Sequence, residues 1–125
     1  MAKVNLSELK WTHFPSGRTT RIIASPDGPL APQGFSLGRS VLEPGGSVPA
    51  HHHSNEEIYH IISGRGHFRI GAVTFAAQAG DSYLIPPDTE HELVNGGDQE
   101  MELLWVYAPA GIMQHWADEL ETGHE

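Results

Sequence analysis

Two histidines two residues apart, with a glutamate four further on, form the part of this sequence best equipped for chemistry. They lie at His51, His53 and Glu57 within GGSVPAHHHSNEEIYHIISG, residues 45–64. In extended chain, side chains alternate between faces, so His51 and His53 point one way and His52 the other. The polar, turn-prone Ser54-Asn55-Glu56 stretch lets the chain reverse, so that Glu57, at the head of the apolar run IYHII, returns its carboxylate toward the imidazole pair. Two imidazoles and a carboxylate suit a divalent transition metal. The chain has no cysteine, so any ion must be held by nitrogen and oxygen alone. A histidine-rich surface loop is the plain alternative. The run is internal, however, and a periodic strand bounded by Gly64 follows it directly.

The elements that must position these residues read as strands. Residues 18–24 (RTTRIIA) are rich in β-branched side chains and end at the Pro- and Gly-laden SPDGPLAP, which cannot continue a strand. The stretch from Gly34 alternates Phe35, Leu37 and Val41 on one face. Further strands are expected over 57–62, 65–70, 72–76, 81–85, 91–95 and 101–107, with turn signals every eight to twelve residues or so, the rhythm of an antiparallel sandwich or small barrel. After Pro109 the period changes. Ile112, Met113, Trp116 and Leu120 recur at three- and four-residue spacing, which predicts a short C-terminal helix. Trp11 and Phe14 anchor a leader that is expected to pack on a neighbouring subunit.

At 125 residues the chain is read as a single domain, 1–125, with one core. Sixteen acidic against seven basic residues give a formal charge of −9, and the basic residues are scattered, which argues against nucleic acid and anionic membranes as partners. No apolar signal region and no membrane-length apolar stretch is read, so the expected location is cytoplasmic. Exposed sheet edges in so small a sandwich predict a homodimer. The 18–24 strand and the helix face with Met113 and Trp116 are the candidate surfaces.

Downstream, GDSYLIPPDTEHELVN places a strand after Gly80, a stop at Pro86-Pro87, a tight turn and a return beginning at His91. Taken together, the two stretches resemble the two motifs of the cupin family, G-x5-H-x-H-x3-E-x6-G and G-x5-P-x-G-x2-H-x3-N. Gly45, His51, His53, Glu57 and Gly64 match the first motif; Gly80, Pro86, His91 and Asn95 match the second, and the short linker 65–79 is typical of microbial members. Asp88 stands where the family usually has glycine; aspartate tolerates a left-handed backbone, so the turn is expected to survive. The resemblance, to a small metal-binding cupin of the conserved-barrel type, implies an all-β fold: a small antiparallel jelly-roll barrel with His51, His53, Glu57 and His91 as ligands of one divalent metal. Mn, Fe, Ni, Co and Zn all accept such donors, though four-coordinate zinc is the less natural occupant.

Around that centre, Tyr59 shares the Glu57 face and is a candidate to hydrogen-bond a bound oxygen. Phe35, Trp105 and Tyr107 are candidates to line an apolar cavity, and Arg39 to clamp a substrate carboxylate. Each has an equally ordinary role in the core or, for Arg39, on the surface. His52, His60 and His67 are expected to face away, and Met113, His115 and Trp116 to cap the barrel mouth or pack on the sheet. The family hosts many chemistries on one fold. The expected function is an oxidoreductase of dioxygenase type acting on an oxygen-chelating small molecule. The alternatives are a Lewis-acid isomerase, lyase or polyketide cyclase, and a non-catalytic ligand-binding or sensing module.

Overall fold

The computed structural model describes residues 2–110 and 116. After a single 3-10 turn at Leu6–Glu8, ten strands follow among those residues: β1 (Thr12–Phe14), β2 (Arg18–Ala24), β3 (Ser36–Leu42), β4 (Ser47–His51), β5 (Glu56–Ser63), β6 (Arg65–Ile70), β7 (Val73–Gln78), β8 (Ser82–Ile85), β9 (His91–Asn95) and β10 (Met101–Ala108). They form two antiparallel sheets, one of six strands in the order β1-β2-β3-β10-β5-β8 and one of four in the order β4-β9-β6-β7. The architecture is an all-β jelly roll. Strict alternation of buried and exposed positions along β3, β5, β9 and β10 turns one face of each strand inward. The inward residues Val48, Tyr59, Ile61, Phe68, Leu93, Leu103, Trp105 and Tyr107 belong to one core cluster. Among the described residues, no helix is long and apolar enough to cross a membrane.

The register of β3 departs from the expectation. Its apolar residues Leu37 and Val41 lie on the outer, half-buried face, while Ser36, Gly38, Ser40 and Leu42 are buried. The neighbour across the sheet explains the choice. Gly38 pairs with Trp105, and a Cβ on Gly38 would lie only 2.2 Å from the indole Cζ2. The strand must therefore present its small residues to the indole, and its larger apolar ones go outside.

Other expectations also change. The leader supplies an edge strand, β1, and Phe14 is fully buried within this chain, whereas Trp11 stays exposed. β1 pairs with Arg18, Thr19 and Thr20, so the first half of β2 is covered within this chain. The expected C-terminal helix, with Ile112, Met113, His115 and Leu120, falls outside the described residues. Trp116 is described, is helical, and meets Phe14 and Trp105 edge-to-face at 5.5 and 5.9 Å between ring centroids.

Candidate metal centre

β4 and β9 are neighbours in register, with His51 opposite His91, and β5 carries Glu57 inward on the facing sheet. His53 lies just past the end of β4, yet it turns back to the same side and is buried. The imidazole centroids are 4.3 Å apart for His51 and His91, 5.5 Å for His51 and His53, and 5.2 Å for His53 and His91. One ligand nitrogen from each ring lies within 4.8 Å of the others. Glu57 Oε1 is 2.9 Å from His53 Nε2 and 3.5 Å from His91 Nε2.

Each of the three rings is locked in the same way. Nδ1 lies 2.8 Å from Pro49 O in His51, 3.1 Å from Asn55 O in His53 and 2.9 Å from Thr89 O in His91. A carbonyl can only accept, so each Nδ1 carries a proton and donates, which turns Nε2 toward the centre; the Nε2 of His53 there donates to Glu57 Oε1, a proton that a bound ion would displace. His91 Nε2 is buried and makes no hydrogen bond. Such an orphaned acceptor is costly unless something binds it. Three imidazole nitrogens with a carboxylate alongside, and no thiolate, fit a hard-to-borderline divalent ion with open positions.

The electrostatics give the same picture with a proton in the ion's place. Burial works against a charge on His53, but the hydrogen bond and negative charge of Glu57, helped by the Asn55 carbonyl, raise its pKa above the ordinary imidazole value. Burial alone would raise Glu57. The hydrogen bond from His53, with the nearby His91 ring 3.5 Å away adding to it, outweighs burial and lowers the carboxyl below its usual value. The Glu57 carboxylate thus favours a positive charge on the neighbouring ring. Burial, then the charge of Glu57, push the Tyr107 phenol far up, against smaller opposing effects of a Ser36 hydrogen bond and the Arg18 charge, so that phenol stays neutral.

The loops that aim the histidines are also fixed by backbone bonds. Asp88 takes a left-handed conformation, φ 59°, so the turn survives without glycine, and its N–H donates to His53 O at 2.7 Å. Asn95 Nδ2 donates to Leu42 O and Gln99 O at 3.0 and 2.8 Å, tying β9 to the end of β3 and to the loop before β10. At Gly64, φ is 90° and a Cβ would lie 2.6 Å from Met101 Cα, so only glycine fits there.

The remaining candidates divide. Tyr59, Trp105 and Tyr107 are buried and line, with Glu57, an internal cavity of about 10 Å³, roughly the room of one water. Tyr107 is 5.8 Å from His53 and stacks on Trp105 at 5.3 Å, and Tyr59 is 6.0 Å from His91, all between ring centroids. Phe35 is exposed and precedes β3, and Arg39 is on the outer face of the sheet, ion-paired with Glu102. Neither lines that cavity, for the register reason given above. His52, His60 and His67 are exposed, and His60 bonds Ser82 Oγ at 2.8 Å.

Sequence reasoning missed the wall opposite the histidines. Arg18 and Ser40 line the same cavity; Arg18 donates to Thr20 Oγ1 at 3.1 Å, Thr20 and Ser40 share a 2.8 Å bond, and Trp105 Nε1 donates to Ser40 Oγ at 3.0 Å. The available signal was polar residues at alternate positions, 18 and 20 on one strand, 36 and 40 on the next.

Comparison with known proteins agrees with this architecture. The chain spans about three fifths of the length of the curated relatives it matches. Polyketide synthase CurC of Streptomyces cyaneus is 29% identical over 94 residues, 74% of this chain and 60% of that protein. An oxalate-binding protein of Thermotoga maritima is 36% identical over 71 residues, 56% of this chain and 59% of that one. The solved polyketide cyclase RemF from Streptomyces resistomycificus superposes with a TM-score of 0.72 at 25% identity, covering 86% of this chain and 79% of the cyclase. The family model described as the Cupin domain matches residues 38–107, from the glycine of β3 that faces the indole to the tyrosine of β10 beside His53, and the chain therefore belongs to the cupin domain family.

Proposed function

We propose that this cupin binds one divalent metal through His51, His53, Glu57 and His91 and acts on a small organic molecule that chelates through oxygen, by Lewis-acid chemistry of the cyclase, lyase or isomerase type. The observation that carries it is the shared lock on the three imidazoles, with His91 Nε2 buried and without a hydrogen bond. The ion, when bound, would supply polarisation of a ligand oxygen. The chain's own groups do the rest. Neutral Tyr107 offers a phenol proton beside Glu57, Tyr59 is the second phenol on the cavity wall, and Trp105 with Tyr59 limits that cavity to about the room of one water. The name of RemF, a polyketide cyclase, supports cyclase-type chemistry over the dioxygenase reading, and that of CurC, a polyketide synthase, points to the same class of molecule.

The test is turnover of 1,3-dicarbonyl, catecholic and hydroxy-acid compounds by protein loaded in turn with Mn, Fe, Ni, Co and Zn, with and without dioxygen. The proposal expects turnover that persists without oxygen. Oxygen uptake matched to substrate loss would return the dioxygenase reading, and metal-dependent binding with no turnover would return the sensing module.

A homodimer is also part of the proposal, now through the outer face of the six-stranded sheet. There Leu84, Ile58, Val106 and Leu37 follow one another in register across β8, β5, β10 and β3, and Leu84 and Ile58 are exposed. A contiguous apolar row of this kind marks an interaction surface. Light scattering should give twice the chain mass for the native protein and the chain mass for Leu84→Lys; a monomeric native protein would end this part of the proposal.

A further inference from the structure

A second space lies outside the histidine cluster, on the inner side of β1 and β2. It is a cleft of about 590 Å³ whose walls include Val4, Leu9, Thr12, Thr20, Ile22 and Pro29. The charged residues at the cleft, Glu8, Lys10 and Asp27, are all exposed, so charge sits at the rim and apolar surface within. This volume is in the range of small-molecule sites. A two-carbon acid would leave it nearly empty.

The cleft and the cavity beside Glu57 are separated by one layer of side chains. Thr20 lines the cleft; its hydrogen-bond partners Arg18 and Ser40 line the cavity, where Ser40 and Arg18 share the wall with Glu57 and Tyr107. A ligand oxygen entering that layer could take over the bond that Thr20 and Ser40 give each other, an exchange of one hydrogen bond for another that costs little. Arg18, buried beside Phe14 with its guanidinium carbon 3.8 Å from the ring centroid, adds positive charge where such an oxygen would pass.

We infer that the cleft receives the apolar body of the ligand whose oxygen end reaches the cavity beside Glu57, so that the ligand is an elongated, largely apolar molecule with an oxygen-rich head, of aromatic or polyketide size. This rests on the metal-centred reading above and names its substrate class. The Thr20–Ser40 pair is then the threshold at which one oxygen of the head enters the one-water cavity.

Three probes with one chelating head and a body that grows from one side of it test this: pentane-2,4-dione, 1-phenylbutane-1,3-dione and 1-(biphenyl-4-yl)butane-1,3-dione, titrated calorimetrically into metal-loaded and chelator-stripped full-length protein. Affinity for the loaded protein should rise by about tenfold or more with each added ring, as burial of a phenyl group predicts. Ile22→Trp, which fills the cleft from β2, should bring the ratio between the largest and smallest probe toward one while elemental analysis still finds one equivalent of metal. Thr12→Phe, filling from β1, serves as a second variant should the first not fold. A metal-dependent affinity that is flat across the series, or a ratio unchanged in both variants, overturns the cleft assignment alone. Pentane-2,4-dione binding that does not depend on metal overturns the metal-centred reading, and this inference with it.

Discussion

The histidine-bearing side of the barrel and the wall it faces are held by different kinds of bonds. On the histidine side every ring is tied to a backbone carbonyl two residues away in sequence, Pro49 for His51, Asn55 for His53 and Thr89 for His91. On the facing wall only Arg18 to Thr20 is local, and the other bonds join side chains far apart in sequence, Thr20 to Ser40 and Ser40 to Trp105. Local backbone bonds can orient a ligand ring before the rest of the domain packs, whereas the wall exists only once three strands have come together. Ligand geometry and pocket shape are thus set by separate parts of the chain. A fold built this way can keep its metal centre while its wall varies, which is the physical basis for many chemistries on one scaffold.

The largest expected effect tests the histidine side. A His51→Ala, His91→Ala double variant should lose at least about a hundredfold in metal affinity, since even removal of a supporting bond costs ten- to a hundredfold. Elemental analysis after gel filtration reads this directly. His52→Ala and His60→Ala should keep a full equivalent of metal, because both side chains are exposed; loss of metal in either would merge the two regions that the comparison separates.

On the wall the expected loss is of stability with metal content preserved. Gly38→Ala drives a methyl to 2.2 Å from the Trp105 indole and should cost about 1–3 kcal/mol or more. Ser40→Ala removes the acceptor of the buried Trp105 N–H and should cost about 1–3 kcal/mol. Urea denaturation of the metal-free proteins measures both. A wall variant that also emptied the metal centre would show that the two sides are not independent.

Acid sharpens the comparison further. In the metal-free protein, the raised His53 contributes stability that is full below its reference value of 6.5 and is lost as pH rises through the raised value. The lowered Glu57 contributes stability that is full above its reference value of 4.5 and is lost as pH falls through the lowered one. Between 4.5 and 6.5 the pair therefore stabilises the fold most without metal. The ion needs deprotonated rings, so its own increment grows in the opposite direction, as pH rises past the imidazole range. Melting temperatures with and without excess metal should converge near pH ~5 and separate at neutral pH. An increment equal at both values would mean that histidines do not hold the ion.

The smallest effect belongs to the turn that aims His91. Asp88→Gly relieves a left-handed non-glycine residue but adds freedom to the unfolded chain, so stability should move by no more than about 1 kcal/mol in either direction, with metal content unchanged. A larger change would mean that the Asp88 carboxylate, rather than its backbone N–H to His53 O, supports the site.

Much of this protein is legible in its sequence because much of it is local. Turn residues mark the strand ends, so the expected ranges 18–24, 65–70 and 91–95 coincide with β2, β6 and β9. The periodicity of two turns Glu57 and Tyr59 inward and His60 outward, and the alternation of His51 and His53 pairs them, whereas the convergence of His91 with them was implied by the family resemblance of the two motifs. What tertiary structure decided is everything that depends on a partner strand. Leu37 and Val41 look inward by composition, yet the indole of Trp105 across the sheet claims that space and leaves room only for Gly38 and Ser40. Arg39 accordingly pairs with Glu102 outside, and Arg18, a strand-start residue by its sequence, ends buried among the cavity's walls. A strand fixes which residues share a face, but which face is the inside is settled by the volume of whatever packs against it.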